Sequence, residues 1–141
     1  MTNPIKEIYR FNKEAGLLEN GYSDFLEDTF TIEESLEGHE DLLGNYDAKT
    51  FARELLQDLK NNDYNLKDVD RLDKALDKIV FAFGSIFKLG LTPQQATKAL
   101  NVVMHANLAK LQMPKDEHGK LTKPANFEGP EEQLQSILDE R

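Results

Sequence analysis

DVDRLDKALDKIVFAFGSIFKLG, residues 68 to 90, decides how this chain folds. It reads as one long helix that stops at Gly90, a residue suited to the position just past a helix end. Its second half, from Ile79 to Phe87, is apolar nearly all the way round. A helix of that kind is expected to be buried on most sides, with Phe81, Phe83 and Phe87 in the core. Its first half carries Asp70, Asp73 and Asp77 at i, i+3 and i+7, which stacks three carboxylates on one face. The segment is therefore expected to be a packing rod at one end and an acidic ladder at the other.

Helices extend outward from this rod in both directions. Asn3-Pro4 is a start signal, a capping side chain followed by a proline at the first helical position. The first amphipathic helix then breaks near Asn20-Gly21. A second begins between Ser23 and Thr31 and is expected to run to about Leu43, with Ile32, Leu36 and Leu43 as its apolar stripe. Glu34 and Glu37 share a face away from that stripe. Asp47 can cap a third helix, Ala48 to about Lys60, with Phe51, Leu55, Leu56 and Leu59 inward. Past the rod, Thr92-Pro93-Gln94-Gln95 combines a cap, a proline and a glutamine that reaches back, and opens a fifth helix to about Lys110. From Pro114 to Pro130 the chain is polar and holds Lys120 and Lys123. Pro130 then opens a short last helix. With no strand-period segment, the expected class is all-α. It is a single domain over residues 1–141: a four- to five-helix bundle over about 3–110, then a Lys/Pro-containing loop and terminal helix over 111–141.

Composition narrows the function. The 141 residues are 39% hydrophobic and 30% charged, a soluble balance, with a net charge of −9. That charge argues against a nucleic-acid polymer or an anionic membrane as partner, since both demand a cationic face. It suits a protein that gathers carboxylates around cations. There is no cysteine, which excludes disulfides, zinc-thiolate sites and thiol catalysis. No run is long and apolar enough to span a membrane, and MTNPIKEIYR lacks a signal-peptide pattern, so the expected location is the cytoplasm.

Four pieces stand in order along the chain: Glu33-Glu34-Ser35-Leu36-Glu37; Asp77 leading into Ile79-Val80-Phe81-Ala82-Phe83-Gly84; Ala106-Asn107-Leu108-Ala109-Lys110; and Asp116-Glu117-His118-Gly119-Lys120-Leu121-Thr122-Lys123-Pro124. Together, over roughly Phe25 to Leu138, they resemble the all-α nucleoside triphosphate pyrophosphohydrolases, the MazG-like and phosphoribosyl-ATP pyrophosphohydrolase-like proteins. The resemblance implies a helical scaffold assembled as a homodimer or a dimer of dimers. It also implies carboxylates from two helices holding Mg²⁺ or Mn²⁺, and hydrolysis of a nucleoside triphosphate to monophosphate and pyrophosphate. Residue by residue, it makes Glu34, Glu37 and Asp77 metal ligands and Glu33 a ligand or catalytic base. Asn107 and Lys110 would contact nucleotide or phosphate, and Lys120 and Lys123 would clamp phosphate.

Two features depart from the family pattern. The family's second acidic motif is E-x-x-D, whereas here the residue three before Asp77 is Lys74. An ammonium cannot ligate a metal, and the exchange alters local charge by two units. Asp73 and Asp70 lie near that face; Asp73 is counted with the ligands and Asp70 with the solvated surface. An extra helix, about Ala48 to Lys60, also separates the two acidic clusters. These departures sustain an alternative, the same scaffold with a degraded metal site, serving as a nucleotide-binding or protein-interaction module.

Overall fold

Capping signals start the helices where the sequence places them. The Asn3 side chain accepts from the Ile5 N–H at 3.0 Å, and Pro4 is the first residue of α1, Pro4–Glu14. Ser23 caps α2, Asp24–Leu36. Asp47 accepts from the Thr50 N–H at 2.7 Å and opens α3, Ala48–Leu55. Then come α4, Gln57–Asn61, and α5, Asp68–Lys88. The full capping box at Thr92 and Gln95 opens α6, Pro93–Lys110, and Pro130 precedes α7, Glu131–Asp139. The computed structural model describes residues 3–44, 46–62, 65–113 and 129–141, and among these there is no strand. Thr92→Ala removes one half of that box and is expected to cost about 1 kcal/mol, read as a lower Tm in thermal denaturation.

Besides α1, which ends at Glu14 rather than near Asn20-Gly21, three helices differ from the sequence expectation. The second does not run on to Leu43: it ends at Leu36, Glu37 is extended at φ −60°, ψ 133°, and Gly38 follows at φ +88°. That left-handed φ is open to glycine and strained for other side chains, so the helix stops there. A separate 3₁₀ turn, Glu40–Leu43, follows. The expected helix over 48–60 is interrupted at Leu56 (φ −100°, ψ 14°), which divides it into α3 and α4. Leu55 is exposed rather than inward; Ala48 and Ala52 are the buried residues of α3.

The third difference is α5 itself. No residue of this helix is buried. Phe81, expected in the core, is 73% exposed, and Phe87 is exposed as well. Its apolar pattern is real, but among the described residues only Phe83, Gly84 and Ile86 of its second half are even half-buried.

The chain divides into two compact units, Gly21–Ala75 and Met1–Asn20 with Leu76–Arg141, and the boundary falls inside α5. In the first unit α2 packs on α3. Thr29 is buried there, its hydroxyl donating to the Phe25 carbonyl at 2.6 Å, and the small Ala48 and Ala52 complete the buried set. In the second unit α6 packs on both α1 and α7. Leu91, Ala96, Met104 and Ile137 form its core. Arg141 donates to the Leu89 carbonyl at 2.7 Å, and so fastens the end of the chain to the turn after α5. That turn is made by Gly90 at φ +92°.

Candidate metal and nucleotide site

The acidic motif on α2 lies in the unit formed by residues 21–75. Glu33 is half-buried; Glu34 and Glu37 are exposed. Glu37 is the last residue placed by the helix: its φ of −60° is helical and its N–H donates to the Glu33 carbonyl at 3.1 Å, so its side chain keeps the i, i+3 relation to Glu34. Glu34 acts on the Glu37 side chain and shifts its titration. The Glu37 pKa is raised above the ordinary carboxylate range. The hydrogen bond to Glu34 is the main cause, followed by the charge of Glu34, burial and the charge of Glu40. Such a pair offers hard oxygen donors at short range, the chemistry that Mg²⁺ or Mn²⁺ accepts.

Asp73, counted with the ligands, is exposed in the first turns of α5 in the same unit. Its neighbour Lys74 turns to α2. The Lys74 Nζ donates to Asp28 Oδ2 at 2.6 Å, so its ammonium is bound by a carboxylate on α2, six residues before Glu34. The i, i+4 partner that helix spacing assigns to Lys74 is Asp70; the structure gives it Asp28.

Beside that ion pair is a network that sequence reasoning missed. Asp24, 3% exposed, accepts from Arg71 Nη2 at 2.9 Å and from the Leu66 N–H at 3.2 Å. The Arg71 guanidinium also donates to Asp68 at 3.1 Å and to Asn65 at 3.3 Å, and lies 4.6 Å from the centre of the Tyr22 ring. The hydrogen bond to Arg71, more than any other cause, holds the Asp24 carboxyl below the ordinary range, against the opposing pull of burial. The signal was present as D-x-x-x-D at residues 24 and 28 and R-x-x-K at 71 and 74. Both spacings place two charges of one sign on one helical face.

The remaining predicted residues lie in the other unit or outside the described residues. Asp77 is exposed on α5. Asn107 is half-buried inside α6, three residues before its end, with its amide 3.9 Å from Met104 Sδ. It is therefore not the helix cap. Lys110 is the last residue of α6. Lys120 and Lys123 fall outside the described residues. A cavity of about 650 Å³ opens among α1, α6 and α7, and another of about 380 Å³ opens beside Phe25, Arg53 and Lys60. None of the predicted site residues lines either one. Among the described residues no three histidine, aspartate or glutamate side chains gather into a metal-holding group. No described helix is long and apolar enough to cross a membrane.

Compared with protein-family models, with curated proteins and with solved structures, the chain matches none.

Proposed function

We propose that this protein is a metal-dependent nucleotide pyrophosphohydrolase, acting as a homodimer or a dimer of dimers on a nucleoside triphosphate or related nucleotide. The observation that carries the reading is the Glu34–Glu37 pair. Two carboxylates of the E-E-x-x-E motif sit three residues apart on one face, with Glu34 raising the Glu37 pKa, and a divalent cation is a natural partner for such a pair. Their donor chemistry fits Mg²⁺ or Mn²⁺, with Asp73 and Asp77 as further oxygen donors. When bound, such an ion neutralises phosphate charge and lowers the pKa of a water. Glu33, half-buried beside the pair in sequence, is the group assigned to take the proton of the attacking water. Asn107 and Lys110 hold the nucleotide, and Lys120 and Lys123 neutralise the leaving pyrophosphate.

The test is pyrophosphate release from a panel of nucleoside triphosphates, with Mg²⁺ or Mn²⁺ present and a chelator as control, comparing wild type with Asp77→Ala. Release that needs metal and is lost in the variant supports the reading. Its absence from every nucleotide overturns it.

The Lys74–Asp28 ion pair favours a second reading, a scaffold that binds nucleotide or a protein without turnover. The ammonium occupies the place of a family carboxylate and is held there by a partner. Lys74→Glu separates the readings. It restores a carboxylate and is expected to enlarge the thermal shift caused by Mg²⁺, while lowering stability without metal because Asp28 loses its counter-charge. A Mg²⁺ shift unchanged by Lys74→Glu would show that residue 74 lies outside the metal site.

A further inference from the structure

Among the described residues the longest helix, α5, is left largely uncovered. Along α5, Val69, Leu72, Leu76, Ile79, Phe83 and Ile86 recur at alternating steps of three and four residues. This is the a/d pattern of a coiled-coil seam, sustained over two and a half heptads. Val69 is 69% exposed, Leu72 61%, Leu76 50% and Ile79 52%; Phe83 and Ile86 are half-buried. Val80 and Phe87 widen the stripe on one flank and are exposed too. Ala75 and Ala82 are the small residues on the other flank. Phe81 falls on the outer face and is no part of the seam. A helix of 21 residues with nothing buried has little to hold it in water, since tertiary packing supplies most helical stability.

We propose that a second copy of this chain covers the seam, with the two α5 helices antiparallel and Leu76 of each against Ile79 of the other. This goes beyond the reading of activity, and beyond dimerisation as such, because it names the face and its direction. Three observations select this occupant. The exposed side chains of the seam and its flank present on the order of 600 Å² of apolar surface per copy, so two copies reach the lower end of a specific interface. A two-fold axis between residues 77 and 78 makes the surface complementary to itself, as a closed dimer requires. It sets the large Phe83 against Leu72 and Val69 against Ile86, whereas a parallel pair sets Phe83 against Phe83. Charge decides the direction as well. In a parallel pair Asp68 on one flank faces Asp73 of the other copy, twice over. In the antiparallel pair the acidic first turns lie beside the other copy's apolar half, and that like-charge facing is absent.

The test uses the full chain at micromolar concentration. Light scattering is expected to give twice the single-chain mass of 16.1 kDa, and Ile79→Lys to return it to the single-chain value with helix content retained in far-ultraviolet circular dichroism. The chain has no cysteine, so introduced thiols report without background. Under mild oxidation the double variant Val69→Cys/Ile86→Cys is expected to form covalent dimers. Val69→Cys alone is expected to form none, its two copies lying about 25 Å apart along the seam. A wild-type chain that stays at single mass overturns the proposal, as does a dimer linked by Val69→Cys alone or one that the double variant does not link. Mass and crosslinking are read without substrate, so a failure here and a failure of pyrophosphate release are separate results.

Discussion

Under the proposed pyrophosphohydrolase reading, Glu37→Ala is expected to reduce metal-dependent pyrophosphate release by about 100-fold or more, since that reading makes Glu37 a direct ligand, and losing a ligand costs at least as much as losing a group that merely orients one. Glu34→Ala should do the same, and the double variant should be little worse than either, because the two carboxylates act as one unit. The pair also carries a pH signature. The Glu37 pKa is raised, chiefly by its hydrogen bond to Glu34, so the folded protein holds that proton more tightly than the unfolded chain. The stability this contributes is fully present below the unfolded pKa. It is lost as pH rises through the folded value, where both groups become charged and repel. A divalent cation competes for the same oxygens, so the Mg²⁺-induced rise in Tm should grow with pH across that window. Glu37→Gln should flatten both trends while keeping the shape of the side chain. Thermal melts over a pH series, with and without Mg²⁺, measure this directly. Pyrophosphate release that survives Glu37→Ala, or a Mg²⁺ shift indifferent to pH, would remove Glu37 from the site.

The sequence was most legible where the physics is local. Asn3, Asp47, Thr92 with Gln95, and Gly90 all took up the roles that spacing assigned. A cap is decided within about four residues, and nothing remote overrides it. The acidic motif was legible as well, since i, i+3 spacing puts Glu34 and Glu37 on one face and Glu37 still donates its N–H to Glu33. What spacing did not show is that Gly38, at φ +88°, stops the helix immediately after them. Long-range pairing was hidden altogether. Asp24 and Arg71 are 47 residues apart, and Asp28 and Lys74 are 46 apart. Helix spacing offered Lys74 a nearer acid in Asp70. The apolar run in α5 was legible as something to be covered, but periodicity says only that a face wants a partner, not which molecule supplies it.

Asp24→Ala is expected to have the largest effect on stability. The carboxylate is 3% exposed, and it is the group to which Arg71 and the Leu66 N–H both turn. Its removal leaves a largely buried guanidinium without its main counter-charge and a backbone donor without an acceptor. Removing one member of a buried ion pair costs about 3 kcal/mol, which for a chain of this length lowers Tm by about 10 °C. Asp24→Asn should cost less, since an amide oxygen can still accept from Leu66 while the charge is lost. The pH dependence runs opposite to that of Glu37. The Asp24 carboxyl is held below the ordinary range, first by its hydrogen bond to Arg71. Its contribution is therefore present above the unfolded carboxylate pKa and disappears as pH falls through the folded one. The gap in Tm between wild type and Asp24→Ala should be widest near neutrality and close in acid. A double-mutant cycle with Arg71→Ala gives the coupling, and either single variant should remove most of what the double removes. If Asp24→Ala melts within about 0.5 kcal/mol of wild type at neutral pH, the network is a surface contact and does not hold α5 to α2.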